Sequence, residues 1–182
     1  MLVYTLTLVG VLGGCHYLDM PDYSREQVRS IPSKNVLNGE RLTDESIRVV
    51  AFARLVLAER GGSVIGVEQL LLGILNSQTD MIRRVVTAER TVERLKESVE
   101  LLMPLGPAIP DETEASLSTS AGQAVRRAIA EADALGSVPV TPAHLLLGLL
   151  SDRSTPLAAL LLEAGVTREA VMKDIQGGPR GQ

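Results

Sequence analysis

The chain is poor in the side chains that usually carry catalysis, metal binding and disulfide formation. Its 182 residues include one cysteine, Cys15, and two histidines, His16 and His144. One thiol cannot build a disulfide framework or a multi-cysteine metal site, because both need several cysteines at set spacings. The glycine-rich loops that hold nucleotide phosphates are also missing. We therefore expect no catalytic residues, no metal site and no cofactor, and we predict that the chain is not an enzyme.

Aromatic residues and excess positive charge are scarce as well. Aromatic side chains make up 2% of the chain, Trp is absent, Phe52 is the single Phe, and the formal net charge is −4. Nucleic acids bind to basic surfaces, and single strands also need aromatic stacking platforms. We therefore do not expect nucleic acid as a partner. Apolar residues still make up 45% of the chain, which predicts a core of Leu, Val, Ile and Ala.

A long internal repeat is the strongest pattern present. The hexapeptide Leu-Leu-Leu-Gly-Ile-Leu at 70–75 returns 75 residues later as Leu-Leu-Leu-Gly-Leu-Leu at 145–150. The same offset aligns Gly61 with Gly136 without a gap. A period of this length does not fit a solenoid or a heptad repeat. It indicates two copies of one small helical module packed as a pseudo-twofold pair, because one copy has too few apolar residues for a stable core.

Helix-start and helix-stop residues divide each copy into four helices. Hydroxyl side chains cap helix starts and glycines end helices, so Thr43 and Ser118 begin the two copies. In the first copy we predict helices from 44 to 59 or 60 and at 67–75, 80–88 and 91–103. In the second copy we predict helices at 119–135, 144–150, 156–164 and 168–175. The predicted fold is all-α, a pseudo-twofold duplicated four-helix repeat with about eight helices.

The same signals predict the organisation of the chain. We expect a folded region at 42–176, in which repeat one covers 42–103, a proline-containing linker covers 104–116 and repeat two covers 117–176. Residues 1–41 contain an apolar segment and a polar tether. Residues 177–182 have no apolar side chain and are predicted to form a disordered tail.

The apolar segment near the start allows two interpretations. Residues 2–12 are almost wholly apolar, and Leu12-Gly13-Gly14-Cys15 follows them without a preceding Lys or Arg. The run is shorter than the roughly 20 residues of a membrane-spanning helix. It is long enough for a secretory signal at 1–14, and the motif resembles the lipobox of bacterial lipoproteins, which are lipidated on the cysteine. Cys15 would then anchor the protein to a bacterial membrane.

The second interpretation is a mis-assigned start codon or an apolar arm that packs on the domain or on a partner. The protein would then be cytoplasmic. Both interpretations stay open from the sequence.

The segments around the repeated hexapeptide resemble a known family. Ile65-Gly66-Val67-Glu68-Gln69 precedes the first hexapeptide and Val140-Thr141-Pro142-Ala143-His144 precedes the second. This arrangement is similar to the Clp amino-terminal (Clp R, or Clp N repeat) domain, the double four-helix repeat that precedes the ATPase rings of Clp unfoldases. The resemblance covers about 42–175. It implies a free-standing domain of this type, without the ATPase modules.

The resemblance also implies candidate partner-binding residues. In some members of the family the domain docks phosphorylated arginine through one glutamate in each repeat. Glu68 stands at the first such position, and Thr43 is the helix-start hydroxyl that we expect to accompany it. The second repeat keeps a hydroxyl in Ser118 but has Ala143 in place of the glutamate. A carboxylate is needed to pair with a guanidinium, so the paired form of this activity is not expected.

Simpler roles compete with these assignments. A glutamate in the first turn of a helix stabilises the helix amides and dipole, which is the structural interpretation of Glu68. His144 has no serine, cysteine or acid paired with it by motif, so we predict a structural hydrogen-bonding role rather than a catalytic one.

The function implied by the resemblance is protein binding. The domain would be an adaptor or accessory of a Clp protease system, and its partner would be a Clp unfoldase or protease, an adaptor or a substrate polypeptide. The alternative is a membrane-tethered lipoprotein that reuses the fold as an envelope scaffold or receptor.

Overall fold

The computed structural model describes residues 41–77, 79–86, 89–103, 115–137 and 139–177. The apolar segment with Cys15, most of the predicted linker and the predicted tail after 177 lie outside the described residues.

Eight helices and two very short strands make up the described part of the chain. In chain order they are α1 Asp44–Arg60, β1 Val64–Ile65, α2 Val67–Ser77, α3 Thr79–Val85, α4 Glu89–Leu102, β2 Ser116–Leu117, α5 Thr119–Ala134, α6 Pro142–Leu150, α7 Pro156–Glu163 and α8 Arg168–Gly177. The predicted all-α fold with two four-helix repeats is confirmed. Among the described residues, no helix combines the length and apolar character needed to cross a membrane.

The predicted caps begin the two long helices. Thr43 Oγ1 accepts a hydrogen bond from the Ser46 amide at 3.2 Å, and Ser118 Oγ accepts one from the Ala121 amide at 3.0 Å. The chain then turns away through glycines with positive φ, Gly61 at 75° and Gly136 at 68°, a conformation that side chains with a Cβ disfavour. Local sequence signals therefore place α1 and α5 correctly.

Helix ends differ from the prediction by a few residues. The second helix continues to Ser77, past the predicted end at Leu75. The side chains of Asn76 and Ser77 donate hydrogen bonds to the carbonyls of Leu72 and Gly73, at 2.8 and 2.6 Å. These polar residues therefore bond back onto the helix instead of ending it. The last helix likewise continues past its predicted end at 175 and reaches Gly177, so the prediction that the disordered tail begins at 177 is wrong for this residue.

Two short backbone pairings join the repeats, and the sequence does not predict them. β1 pairs with β2 in parallel, with Ile65 opposite Leu117. At the other end of the pseudo-twofold arrangement, Leu42 forms an isolated parallel bridge with Val140. Each pairing takes one segment from each repeat, so the backbone ties the two repeats together twice.

Ion pairs add further connections between the repeats. Arg41, just before α1, pairs with Asp133 near the end of α5. Arg84 of α3 contacts Asp174 of α8, with Nε and Oδ1 2.5 Å apart. Because these pairs are partly exposed to solvent, each adds little to stability. They connect elements whose positions are already set by the packing of the core.

The core lies between two helix pairs, α1 with α2 and α5 with α6. Glycine makes the close approach within each pair possible. A Cβ built on Gly73 of α2 would overlap the backbone carbonyl of Val49 in α1, and one built on Gly148 of α6 would overlap that of Ala124 in α5. The repeated hexapeptide therefore holds its glycine because the backbone of a neighbouring helix occupies the space where a side chain would lie.

Replacing either glycine with alanine should destabilise the protein. We expect Gly73→Ala and Gly148→Ala each to lower the free energy of unfolding by about 1–3 kcal/mol, because a backbone carbonyl cannot give way as a flexible side chain can. Urea-induced unfolding followed by circular dichroism measures the change.

Gly122→Ala is the matched control within α5. The nearest atom to a Cβ there is Arg126 Nη1 at 3.8 Å, so alanine should raise stability by about 0.5–1 kcal/mol through helix propensity. Similar effects at Gly73 and Gly122 would contradict the close-approach explanation.

Candidate functional site

The starts of α2 and α6 are equivalent positions in the pseudo-twofold structure, and each is completed by a segment of the other repeat. We call these two regions the α2 end and the α6 end. The Ser118 amide donates a hydrogen bond to the Ile65 carbonyl, just before α2, at 2.9 Å. The Thr43 amide donates to the Val140 carbonyl, just before α6, at 3.1 Å. The cap of each first helix therefore lies beside the second helix of the opposite repeat.

This exchange changes which residues accompany Glu68. The sequence leads us to expect Thr43 beside Glu68, within the same repeat. The backbone hydrogen bonds instead place Ser118 beside the start of α2, which carries Glu68, and Thr43 beside the start of α6, which carries Ala143. The repeat offset shows which residues of the two copies are equivalent, but not which residues of one copy lie against the other copy. The sequence therefore leads to the other combination.

The α2 end presents a carboxylate at a helix start. Glu68 is half-buried in the first turn of α2. Its Oε2 lies 2.7 Å from the position that a Cβ on Gly66 would occupy, so the carboxylate lies over the glycine that precedes the helix. Ile65 connects this glycine to Ser118 by the backbone hydrogen bond. The end therefore combines a carboxylate and a hydroxyl, groups that can bind a guanidinium or an ammonium ion.

The α6 end lacks this chemistry. Ala143 is 7% exposed and has no polar side chain, while Thr141 stands where the α2 end has Gly66. The hydroxyl of Thr43 donates to Ser46 Oγ at 3.2 Å, and Ser46 Oγ donates to the Val140 carbonyl at 2.7 Å. Both hydroxyls are therefore engaged inside the protein, and that of Ser46 bonds directly across the two repeats.

Residues 69 and 144, related by the repeat offset, perform the same capping role with different chemistry. Gln69 Oε1 accepts a hydrogen bond from the Gly66 amide at 2.9 Å. His144 Nδ1 accepts one from the Thr141 amide at 3.1 Å. His144 is 1% exposed, and the structural role predicted for it is confirmed. Helix-start motifs in the sequence predict that the helices are capped, but they do not predict that Gln69 is a capping residue.

Electrostatic effects around His144 act in opposite directions. Burial lowers the pKa of His144, and the carboxylate of Glu131 in α5 partly opposes that effect. Glu131 is itself held by Arg168 of α8, with N–O distances of 2.6 and 2.8 Å. These hydrogen bonds hold the pKa of Glu131 below its ordinary value. Among the described residues, no group of three or more His, Cys, Asp or Glu side chains is placed to hold a metal ion.

Comparison with known proteins identifies a family. The model of the Clp repeat (R) N-terminal domain matches residues 41–164 and, in a second match, 116–177. The chaperone protein ClpC1 of rice chloroplasts (Oryza sativa subsp. japonica) is 27% identical over 173 residues, which cover 85% of this chain and 19% of the relative. The chain therefore spans about a fifth of that protein.

Solved structures share the fold. The N-terminal domain of Hsp104 from Candida albicans matches with a TM-score of 0.63 at 23% identity, covering 78% of this chain and 95% of that one. The N-terminal domain of the chaperone ClpD from Arabidopsis thaliana matches with a TM-score of 0.59 at 20% identity, covering 75% and 98%.

Removing the Ser46 hydroxyl should weaken the junction at the α6 end. We expect Ser46→Ala to lower the free energy of unfolding by about 0.5–1.5 kcal/mol, the usual net contribution of one buried hydrogen bond. The Val140 carbonyl keeps its bond from the Thr43 amide. The Thr43 hydroxyl loses Ser46 Oγ as an acceptor, but Thr43 is only partly buried, so this hydroxyl can bond to water. Ser120→Ala, an exposed position on α5, is the matched control. Equal effects of the two substitutions in thermal unfolding would contradict a role for Ser46 in the junction.

Proposed function

Because the chain belongs to the Clp repeat (R) N-terminal domain family, we propose that it is a non-enzymatic protein-interaction module that acts as an adaptor or accessory of a Clp protease system. Its partners are a Clp unfoldase or protease, an adaptor, or the polypeptides that such a system degrades. The observation that carries the proposal is the α2 end, where Glu68 and Ser118 from opposite repeats lie at one helix start.

The chemistry of this end favours a cationic group on a polypeptide. A carboxylate pairs with a guanidinium through charge-assisted hydrogen bonds, which are stronger than neutral ones. The start of α2 also carries the positive end of the helix dipole, which favours an anion such as a phosphate. An arginine side chain that bears a phosphate combines both requirements. We therefore propose Glu68 and Ser118 as partner-binding residues for this class of ligand.

The lack of a suitable site at the α6 end supports a single binding site, at the α2 end, in each chain. Ala143 provides no carboxylate, and the Thr43 hydroxyl is engaged with Ser46. Thr43 therefore contributes to the fold of the junction, and we propose that ligand binding occurs at the α2 end alone.

Binding of short peptides tests this proposal. A peptide with one phosphoarginine should bind at one site per chain, and Glu68→Gln should weaken the affinity about tenfold or more, as expected for losing a hydrogen bond to a charged group. Ser118→Ala should weaken it less, because it removes a neutral hydrogen-bonding group and leaves the charged Glu68 in place. Fluorescence anisotropy gives the affinity and isothermal titration calorimetry gives the stoichiometry.

Glu93→Gln, on an exposed position of α4, removes the same charge elsewhere and should leave the affinity unchanged. If Glu68→Gln binds the peptide as tightly as the wild type does, Glu68 serves only its own helix start. Two sites per chain would contradict the assignment of the α6 end.

A second candidate function rests on the lipobox-like Leu12-Gly13-Gly14-Cys15. In that case the domain is tethered to a bacterial membrane through lipidated Cys15 and serves as an envelope scaffold or receptor. A cytoplasmic Clp motor could not then be its partner, so the cellular location separates the two functions.

Metabolic labelling with a fatty acid, followed by fractionation, tests this second function. The wild type should carry label in the membrane fraction, and Cys15→Ala should carry none, because the thiol is the site of lipidation. Wild-type protein that is unlabelled and wholly in the soluble fraction would exclude the anchored function.

A further inference from the structure

His144 is a buried polar residue with one unsatisfied nitrogen. Its exposed fraction is 1%. Among the described residues, its Nε2 is the one buried side-chain nitrogen or oxygen atom without a hydrogen-bond partner. Leaving a buried donor unpaired is unfavourable. The hydrogen bond at the other ring nitrogen must therefore offset this cost.

The hydrogen bond at the other nitrogen requires a neutral ring. Nδ1 accepts from the Thr141 amide at 3.1 Å, so Nδ1 carries no proton and the ring proton is on Nε2. Adding a second proton would place an N–H on Nδ1 opposite the N–H of Thr141. The capping bond at the start of α6 would then be lost, although Nδ1 could still donate to Thr141 Oγ1, which lies 2.8 Å away.

The surroundings of His144 offer little compensation for a positive charge. The buried faces of α1, α2 and α7 hold no charged residue. From α5, the carboxylate of Glu131 acts on the ring, but it is already neutralised by Arg168 of α8. Near the adjoining backbone, Asp133 of α5 is engaged with Arg41. Burial therefore outweighs Glu131, and the pKa of His144 is lowered.

The capping bond is directly connected to the junction between repeats. Thr141 follows Val140, whose carbonyl accepts hydrogen bonds from the Thr43 amide and from Ser46 Oγ, and whose amide donates to the Arg41 carbonyl at 2.5 Å. A change in the backbone at Thr141 moves the group that holds these three bonds. The ring of His144 thus hydrogen-bonds to the residue that directly follows the junction residue Val140.

We propose that His144 is a pH-sensitive latch, which keeps the start of α6 and the Leu42–Val140 bridge closed at neutral pH and releases them in mild acid. The neutral ring is favoured in the folded state, so the unfolded chain binds more protons as the pH falls. The stabilisation is complete above the unfolded-state pKa of about 6.5. It decreases as the pH falls from there towards the lower pKa of the folded state. This inference does not depend on the proposed function.

The chain contains its own comparison. At the equivalent position of repeat one, Gln69 caps the start of α2 through an amide oxygen, a group that does not titrate in this range. The β1–β2 junction beside it should therefore be insensitive to mild acid. The protein therefore contains two equivalent helix caps, one that titrates in this range and one that does not.

Amide hydrogen exchange of the full chain at about pH 7.5 and about pH 5.5, on either side of the histidine range, tests the proposal. After correction for intrinsic exchange rates, the amides of Thr43, Val140 and Thr141 should lose protection several-fold at the lower pH. The Ser118 amide should change little. In His144→Gln, which copies the residue found at position 69, the acid-induced loss at the α6 end should disappear while protection at neutral pH is kept.

The reciprocal substitution Gln69→His should create acid sensitivity at the Ser118 amide. It also keeps the proposal testable if His144→Gln fails to fold. The same acid-induced loss in wild type and in a folded His144→Gln would overturn the latch. A folded Gln69→His whose Ser118 amide stays insensitive to pH would also overturn it.

Discussion

The structure depends on an exchange of backbone hydrogen bonds between the two repeats. The amide of each first-helix cap residue is not satisfied within its own repeat: Ser118 donates to Ile65, and Thr43 donates to Val140. A buried backbone amide needs a partner, so each repeat completes the other. The exchange also decides the chemistry of the two ends, because every end combines a helix cap from one repeat with a helix start from the other.

Close packing within each repeat supports this exchange. Gly73 and Gly148 let α2 and α6 approach the backbone of α1 and α5. The segment before each pair of helices then hydrogen-bonds with the segment between the two helices of the other pair. Core packing therefore sets the distance between the helices of each pair, and the hydrogen-bonding groups at the helix starts align the two repeats with each other. The core is made almost wholly of aliphatic residues, and these glycines allow its helices to pack closely.

Much of the fold could be predicted from the sequence, but less of the candidate site. The repeat offset, the caps Thr43 and Ser118 and the glycine stops correspond to local structure, which residue type strongly determines. The short pairings between the repeats carry no periodic signal, so neither they nor the placement of Ser118 beside the start of α2 could be inferred. The capping roles of Gln69 and His144 depend on side-chain geometry at a helix start. The binding role of Glu68 stays a prediction, because the same carboxylate also fits a first-turn position.

The exchanged junctions also have a consequence for synthesis on the ribosome. Repeat one leaves the exit tunnel first, with the Thr43 amide and the Ile65 carbonyl lacking the partners that they have in the folded protein, Val140 and Ser118. Those partners are added to the chain 97 and 53 residues later by position. The Ile65 carbonyl can therefore find its partner once the start of repeat two has emerged, whereas the Thr43 amide lacks its partner until Val140 follows. During this interval the unpaired backbone groups of the nascent chain are open to premature contacts with its neighbours.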